Sequence, residues 1–144
     1  MAGLHPKKTV VPMDFSELSL NALNTAVEIA GDSGSVEVIH VLPPILVMES
    51  NDLYGSVTDS DRKDATKARL KKQLADDKYA NVRIRVAVGD PGHEIVACAK
   101  RESADLIIMP SHGHGFLKHM WLGSVAERVV RTSCCPVLVL RQPH

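Results

Sequence analysis

The chain has 144 residues, of which 44% are hydrophobic and 24% charged, and its formal net charge at pH 7 is zero. These proportions predict one globular domain with a real core, and the zero net charge argues against a broad electrostatic surface for nucleic acid or an anionic membrane. No apolar run approaches the ~20 residues that a membrane-spanning helix needs, so no membrane partner is expected.

Apolar periodicity predicts that strands and helices alternate along the chain. Short aliphatic runs mark the strands, and apolar residues at helical spacing behind polar caps mark the helices. In chain order, the predicted elements are a strand at Thr9–Met13, a helix opened by Asp14 or Ser16 and ended by Gly31, a strand at Ser35–Leu42, a helix at Asp61–Tyr79, a strand at Asn81–Gly89, a helix opened by Asp90 and Pro91, a strand at Asp105–Met109, a helix from Ser124 and a strand at Pro136–Arg141. Residues 45–60 are expected to be irregular.

The helix predicted at Asp61–Tyr79 is charged and has only a weak apolar stripe. We therefore expect one of its faces to be well solvated. The stripe consists of Ala65, Ala68, Leu74 and Ala75. The strand after it alternates, with Arg83 and Arg85 on one face, which indicates incomplete cover on that side.

The alternation of apolar strands with helices predicts an α/β fold, a parallel sheet with helices on both faces. In such sheets, ligands bind beyond the carboxyl ends of the strands, near the point where the strand order reverses. Unusual loops follow the first strand ("PMDFS"), the second ("LPPI") and the fourth ("MPSHGHGFLKHMWLGSVAE"). If the first and fourth strands are neighbours, the first and third of these loops flank one crevice.

The loop after the fourth strand carries the strongest chemical signal. Gly113, Gly115 and Gly123 let backbone amides approach an anion closely, and a helix from Ser124 offers free N–H groups to a phosphate. Glu127 follows Ser124 by three residues, which predicts a capping box with Ser124 as N-cap. Two interpretations stay open: a phosphate site, or a long turn whose serine only caps the helix. The loop is neither a GxxxxGK[ST] P-loop nor a GxGxxG motif.

Other polar residues near these loops also allow two interpretations. Asp14 directly follows the first strand, where its carboxylate can accept hydrogen bonds from ribose hydroxyls, help to hold a divalent ion, or cap the first helix. His112, His114 and His119 lack a nearby cysteine or carboxylate at metal-ligand spacing, so the sequence does not favour a metal site. Trp121 is expected to pack on a neighbouring helix or subunit.

The cysteines predict the compartment. An odd number of cysteines, an adjacent pair at Cys134 and Cys135, and no signal peptide fit a reducing cytoplasm. With no CxxC spacing, we interpret these two residues and Cys98 as small hydrophobes or inert thiols.

Three segments, in this order, resemble the universal stress protein family. They are "VPMDFSE" at Val11–Glu17, "VGDPGHEIVACAKRESADLIIMPSHG" at Val88–Gly113 and "LGSVAERVVRTSCCPVLVLR" at Leu122–Arg141. The resemblance covers nearly the whole chain, and the last segment is highly characteristic. The resemblance implies a single domain over residues 1–144, with a core at about 6–141. The implied fold is an open five-stranded parallel sheet in strand order 3-2-1-4-5, Rossmann-like and of the adenine nucleotide alpha hydrolase type.

The ATP-binding branch of this family carries the motif G-x2-G-x9-G-[ST]. Gly113 matches the second glycine, nine residues follow, and Gly123 and Ser124 complete the motif, but Pro110 replaces the first glycine. Proline lacks an N–H group. If that amide normally donates to the ligand, its loss removes one hydrogen bond, worth ~0.5–1.5 kcal/mol, so we expect weakened rather than abolished binding.

The resemblance further implies a site for ATP or another adenine nucleotide. Asp14 would face the ribose, Met109 and His112 would line the sugar and phosphates, and Mg²⁺ or Mn²⁺ would enter with the phosphates rather than through a protein cage. The implied nucleotide-binding residues are Pro12, Met13, Asp14, Val41, Met109, His112, Gly113, Gly123, Ser124, Val125 and Ala126.

The family commonly dimerises through the last strand. The resemblance therefore implies a homodimer through Val137, Leu138, Val139 and Leu140. This run is short, apolar and at a sheet edge, so it needs a partner or a cover.

The leading hypothesis is a cytoplasmic, dimeric module that binds an adenine nucleotide and acts in stress response through a ligand-dependent surface, and that is not primarily an enzyme. Pro110 keeps a second hypothesis open, a family member that binds no nucleotide and works through dimerisation and partner contacts. A slow ATPase is the third, because His112 and His114 are the evident general bases in the phosphate loops. The sequence names no protein partner.

Overall fold

The computed structural model describes residues 5–45, 57–113 and 121–141. Its elements, in chain order, are β1 (Lys8–Pro12), α1 (Glu17–Ala30), β2 (Ser35–Leu42), α2 (Asp59–Gln73), a short 3₁₀ helix (Asp77–Tyr79), β3 (Val82–Val88), α3 (Pro91–Arg101), β4 (Leu106–Pro110), α4 (Ser124–Thr132) and β5 (Val137–Leu140). Most of the segment predicted as irregular, together with His114, Gly115 and His119, lies outside the described residues. Within those residues, no helix is long and apolar enough to cross a bilayer.

The strands form one parallel five-stranded sheet in the order β3-β2-β1-β4-β5, as predicted. The first and fourth strands are neighbours, with Val10 opposite Ile107. The chain runs outward in one direction through β2 and β3 and in the other through β4 and β5. The strand order therefore reverses between β1 and β4, and the predicted crevice belongs at their carboxyl ends.

Two aliphatic cores cover the two faces of the sheet. Because side chains alternate along a strand, Val11 and Val38 pack on the side of α1 and α2, whereas Val10 and Ile39 pack on the side of α3 and α4. Both faces are buried, which is why β4 is apolar throughout and why β1 and β2 carry apolar side chains on both faces.

Most predicted boundaries agree with the structure to within one residue. The second strand has its predicted limits, whereas β1 begins and ends one residue earlier than predicted and β4 one residue later. Ser16, rather than Asp14, is the N-cap of α1, and its hydroxyl accepts a hydrogen bond from the amide of Ser19 at 3.1 Å. Asp90 caps α3 as predicted, with Pro91 in the first turn.

The prediction for the second helix was wrong at both ends. α2 begins at Asp59, because Thr58 forms a capping box with Asp61, and it ends at Gln73 rather than at Tyr79. The predicted alanines lie exposed, and the apolar contact is made by Leu70 and by Leu74 just beyond the helix. A larger side chain buries more apolar surface than alanine, so two leucines anchor a helix whose other faces are solvated.

Candidate functional site

A cavity of about 260 Å³ opens at the carboxyl ends of the strands, where the strand order reverses. The structure brings all eleven residues of the sequence-predicted site to its wall: Pro12, Met13, Asp14, Val41, Met109, His112, Gly113, Gly123, Ser124, Val125 and Ala126. Ser19, Ile39, His40, Pro91, Ile95 and Pro110 also line it. Two loops distant in sequence and the start of one helix therefore meet in one place.

The loop after β1 is shaped by a compact set of hydrogen bonds. One carboxylate oxygen of Asp14 accepts from the amide of Ser16 at 3.0 Å and also from its hydroxyl. Between them, Phe15 has φ +66°, a left-handed conformation that a bulky residue rarely adopts. This turn fixes Asp14 at the entrance of α1 while leaving it in the cavity wall.

Aromatic and cationic contacts hold the strained residue in place. The ring of Phe15 lies 4.9 Å from that of His40, and the guanidinium carbon of Arg69 on α2 lies 3.7 Å from the centre of the Phe15 ring. His40 Nδ1 lies 2.6 Å from the carbonyl oxygen of Met13. Because a carbonyl only accepts, Nδ1 must carry the proton. These contacts offset the backbone strain of the turn, which is of order 1 kcal/mol.

The start of α4 differs from the prediction. Gly123 is the N-cap, Ser124 is the first helical residue, and no side chain caps the helix, so the predicted capping box is wrong. The amide of Glu127 bonds to the carbonyl of Gly123 at 2.9 Å, as the first turn of a helix requires. The first helical residues, Ser124, Val125 and Ala126, line the cavity, and no side chain caps the amides of this first turn.

Two glycines permit close approaches that a side chain would block. A Cβ atom on Gly113 would lie 3.0 Å from a carboxylate oxygen of Asp14, so the loops after β1 and β4 touch at this point. A Cβ atom on Gly123 would lie 3.1 Å from the carbonyl oxygen of Ser111. The amide of Gly123 already donates to that carbonyl at 2.7 Å, which closes the base of the loop.

Pro110, the residue that departs from the family motif, lies in β4 and in the cavity wall. The amides of Ile107 and Ser111 donate toward β5, so by strand alternation the nitrogen of Pro110 faces the β1 side. The pairing of β1 with β4 ends at Val10 and Ile107. The proline therefore removes no ladder hydrogen bond, because it lies where β1 and β4 have diverged.

The charges around the cavity are few. Among the described lining residues, Asp14 is the carboxylate, His40 and His112 are the imidazoles, and none is a lysine or arginine. His112 Nδ1 lies 3.1 Å from the hydroxyl of the buried Ser111. In the part of the chain that the structure describes, no three His, Cys, Asp or Glu side chains come together as a metal site. This wall can hold an anion through backbone N–H groups and the dipole of α4.

Sequence reasoning missed several lining residues for different reasons. Ile39 lies two residues before Val41 on the same face of β2, so strand alternation could have found it. Ile95 is buried on α3, and helical periodicity marks it as an inner-face residue but not as part of a site. His40 and Ser19 carry no sequence signal of their own, because only tertiary packing places them beside the loop after β1.

Comparison with known proteins identifies the family. The model of the universal stress protein family matches residues 6–141. Universal stress protein YxiE of Bacillus subtilis is 35% identical over 146 aligned residues, covering 93% of this chain and 98% of that protein.

Solved structures agree with this. Protein MJ0577 of Methanocaldococcus jannaschii superimposes with a TM-score of 0.71 at 33% identity, covering 96% of this chain and 97% of that one. A universal stress protein from Archaeoglobus fulgidus, solved in complex with dAMP, shows the same fold with a TM-score of 0.66 at 24% identity, over 92% and 95% of the two chains. By its sequence match and by its fold, this chain belongs to the universal stress protein family.

Proposed function

We propose that the cavity binds an adenine nucleotide, ATP or a close relative, and that the chain is a nucleotide-binding module of stress response rather than an enzyme. The main support is that Asp14 and the uncapped start of α4 line one cavity at the point of strand reversal. A carboxylate suits ribose hydroxyls, and a helix N-terminus suits phosphates. The dAMP carried by the Archaeoglobus protein is in keeping with this ligand class.

The proposed ligand runs from the loop after β1 to the start of α4. Asp14 holds the ribose, Met109 and His112 line the sugar and phosphates, and the amides of Ser124 to Ala126 hold the phosphates. Gly113 and Gly123 contribute by lacking a side chain, since the amide of Gly123 is already engaged with Ser111. Pro12, Met13 and Val41 surround the remainder of the nucleoside.

A divalent cation, Mg²⁺ or Mn²⁺, enters with the phosphates. The described wall brings one carboxylate and no lysine or arginine to a ligand that would carry several negative charges. Metal-bound phosphates lower that charge, and Mg²⁺ usually binds through phosphates and few protein groups. We therefore expect the affinity for ATP to fall when the metal is chelated, and the affinity for AMP to change less.

The nucleotide-binding unit is proposed to be a cytoplasmic homodimer joined through β5. All four residues of β5 are apolar and half-buried, and the strand ends the sheet. The free thiols of Cys98, Cys134 and Cys135 suit a reducing compartment. Burial raises the pKa of the Cys98 thiol, which keeps it protonated and unreactive.

The first test is direct. The purified chain is denatured and any released nucleotide identified, and nucleotide-free protein is titrated with ATP and with AMP in the presence and absence of Mg²⁺. We expect a released nucleotide, or binding at up to millimolar concentrations. If no nucleotide is released and none binds in that range, the proposal is contradicted. That result would favour the branch of the family that binds no nucleotide, to which Pro110 points.

A graded pair of variants tests the location. Gly123→Ala and Gly123→Val place one and then three carbons against Ser111 and His112, so we expect nucleotide affinity to fall in that order. Thermal unfolding of each variant shows whether the fold survives. Steady release of phosphate above the buffer rate, lost in His112→Ala, would overturn the non-enzymatic assignment.

A further inference from the structure

The base of the proposed phosphate loop is tied directly to the edge strand through which a second copy would pair. The amide of Gly123 donates to the carbonyl of Ser111 at 2.7 Å, and the amide of Ser111 donates to the carbonyl of Leu140 at 2.9 Å. Ser111 is 3% exposed, so this connection runs through the protein interior. Two hydrogen bonds therefore separate the N-cap of α4 from the last residue of β5.

A second connection joins the same two segments at the surface. The guanidinium carbon of Arg141, the residue after β5, lies 4.6 Å from the centre of the Trp121 ring, two residues before the N-cap of α4. Trp121 is 78% exposed, so it does not pack on a helix of its own chain, and the predicted alternative of packing on a neighbouring subunit stays a prediction. An exposed tryptophan is held beside the end of an apolar edge strand, continuous with the proposed dimer surface.

We infer that nucleotide binding and pairing of β5 with a second copy of this chain are positively coupled, through Ser111 inside and the Trp121–Arg141 pair outside. This inference rests on the proposed function. A nucleotide at the start of α4 restrains Gly123, and pairing restrains Leu140 and Arg141. Each event lowers the ordering cost of the other, which gives cooperativity without a change of fold.

The coupling is reciprocal by thermodynamic necessity. Nucleotide must tighten the dimer by the same factor by which dimerisation tightens nucleotide binding. Coupling between sites usually amounts to between about 5-fold and 150-fold, and two short connections suggest a factor of roughly ten. The nucleotide wall and β5 consist of different residues, so each affinity can be measured without blocking the other site.

The experiment uses the full chain, freed of nucleotide. Sedimentation velocity gives the dimer dissociation constant without ligand and with saturating Mg-ATP, and with AMP as a second probe. Titration at protein concentrations below and above the dimer dissociation constant gives the reciprocal factor. We expect Mg-ATP to lower the dimer dissociation constant roughly tenfold, with both routes in agreement.

Two matched variants test the surface connection. Arg141→Gln removes the contact with Trp121 and should lower the coupling factor. Any direct effect of the substitution on the dimer contact cancels in that ratio. Arg141→Lys, which keeps a cation, should give an intermediate factor. Arg131→Gln removes an arginine from an exposed pair on α4 and should leave the factor unchanged.

The outcomes separate this inference from the proposed function. Equal dimer dissociation constants with and without nucleotide, in a protein that binds nucleotide and dimerises, would overturn the coupling alone. A looser dimer in the presence of nucleotide would also overturn it. A protein that binds no nucleotide, or that stays monomeric, would overturn the proposed function and the coupling together.

Discussion

At the scale of single residues, the role of Ser124 depends on which residue is the N-cap of α4. A serine followed three residues later by glutamate normally predicts a capping box. Here Gly123 takes the cap position, and Ser124 is the first residue of the helix, in the cavity wall. The shift of one residue removes the predicted capping role of the hydroxyl and leaves Ser124 in the wall of the cavity.

This position yields the first prediction. Ser124→Ala should change the free energy of unfolding by less than ~0.5 kcal/mol, because no cap hydrogen bond is lost. Its nucleotide affinity should fall several-fold. Ser16→Ala removes a true N-cap and should destabilise the protein by about 1 kcal/mol. Urea unfolding and calorimetric titration measure both effects, and equal destabilisation by the two variants would contradict the assignment of the cap.

At the scale of elements, an ion-pair network joins three strands to the end of α3 on the face opposite α1 and α2. Arg85 on β3 lies 2.8 Å from Glu37 on β2 and 2.6 Å from Glu102 at the C-cap of α3. Lys8 on β1 lies 2.8 Å from Glu102. Glu37 is 3% exposed, and its second carboxylate oxygen has no hydrogen-bond partner among the described residues. Stability on this face therefore depends on Arg85.

We predict that Arg85→Leu destabilises the protein by about 3 kcal/mol, because it leaves Glu37 buried without its partner. Glu37→Leu combined with Arg85→Leu should recover most of that loss, since no uncompensated charge then remains. Arg131→Leu breaks an exposed pair and should cost less than ~1 kcal/mol. Denaturant unfolding of the wild type, of the two single variants and of the double variant gives these free energies. A double variant whose destabilisation equals the sum of those of the single variants would contradict the dependence of Glu37 on Arg85.

The same network predicts that the protein loses stability at acidic pH. The hydrogen bond from Lys8 holds the pKa of Glu102 below the ordinary carboxyl value of 4.5. A carboxyl pKa lowered by folding stabilises the native state above the ordinary value, and that contribution is lost as the pH falls through the lowered one. The difference in Tm between the wild type and Glu102→Gln should be constant above about pH 5.5 and shrink below pH 4.5. A difference that stays constant down to pH 3, or the same behaviour in Glu127→Gln, would contradict this.

At the scale of the whole molecule, β5 is an open edge whose backbone groups alternate in direction. The carbonyls of Pro136 and Leu140 accept hydrogen bonds from amides of β4. By strand alternation, the backbone N–H and C=O groups of Leu138 also point toward β4, whereas those of Val137 and Val139 point away from the sheet. Only the outward groups are available to a second copy. The proposed dimer therefore depends on two residues of the strand for its backbone hydrogen bonds.

We predict that Val139→Pro abolishes dimerisation while the chain stays folded, because proline is tolerated where an edge N–H faces outward. Leu138→Pro removes a ladder hydrogen bond to β4 and should destabilise the fold itself by ~3 kcal/mol or more. Sedimentation velocity and circular dichroism measure the two outcomes. A folded, fully dimeric Val139→Pro variant would contradict pairing through β5.

Much of the fold follows from local pattern, and the errors have physical causes. The β-branched runs at Ser35–Leu42 and Leu106–Pro110 mark buried strands by their composition. The charged residues of α2 do not show where the helix ends. Its end depends on Tyr79, which is buried and whose hydroxyl donates a hydrogen bond to Asn24 on α1, far away in sequence. The prediction of the N-cap of α4 was wrong for a similar reason, since the hydrogen bond from the amide of Gly123 to the carbonyl of Ser111 fixes where the helix begins.

The sequence by itself determined the α/β class and the strands and helices, because these depend on periodicity. Its motifs indicated the family and, through that resemblance, eleven of the residues that line the cavity. Only the tertiary structure decided that His40 and Arg69 hold Phe15 in its left-handed turn, that Gly123 rather than Ser124 caps α4, and that Arg85 neutralises Glu37. The two hydrogen bonds that link the base of the loop after β4 to β5 through Ser111 belong to the same group. Each of these joins segments that are distant along the chain, and such contacts depend on how the layers pack rather than on any local pattern.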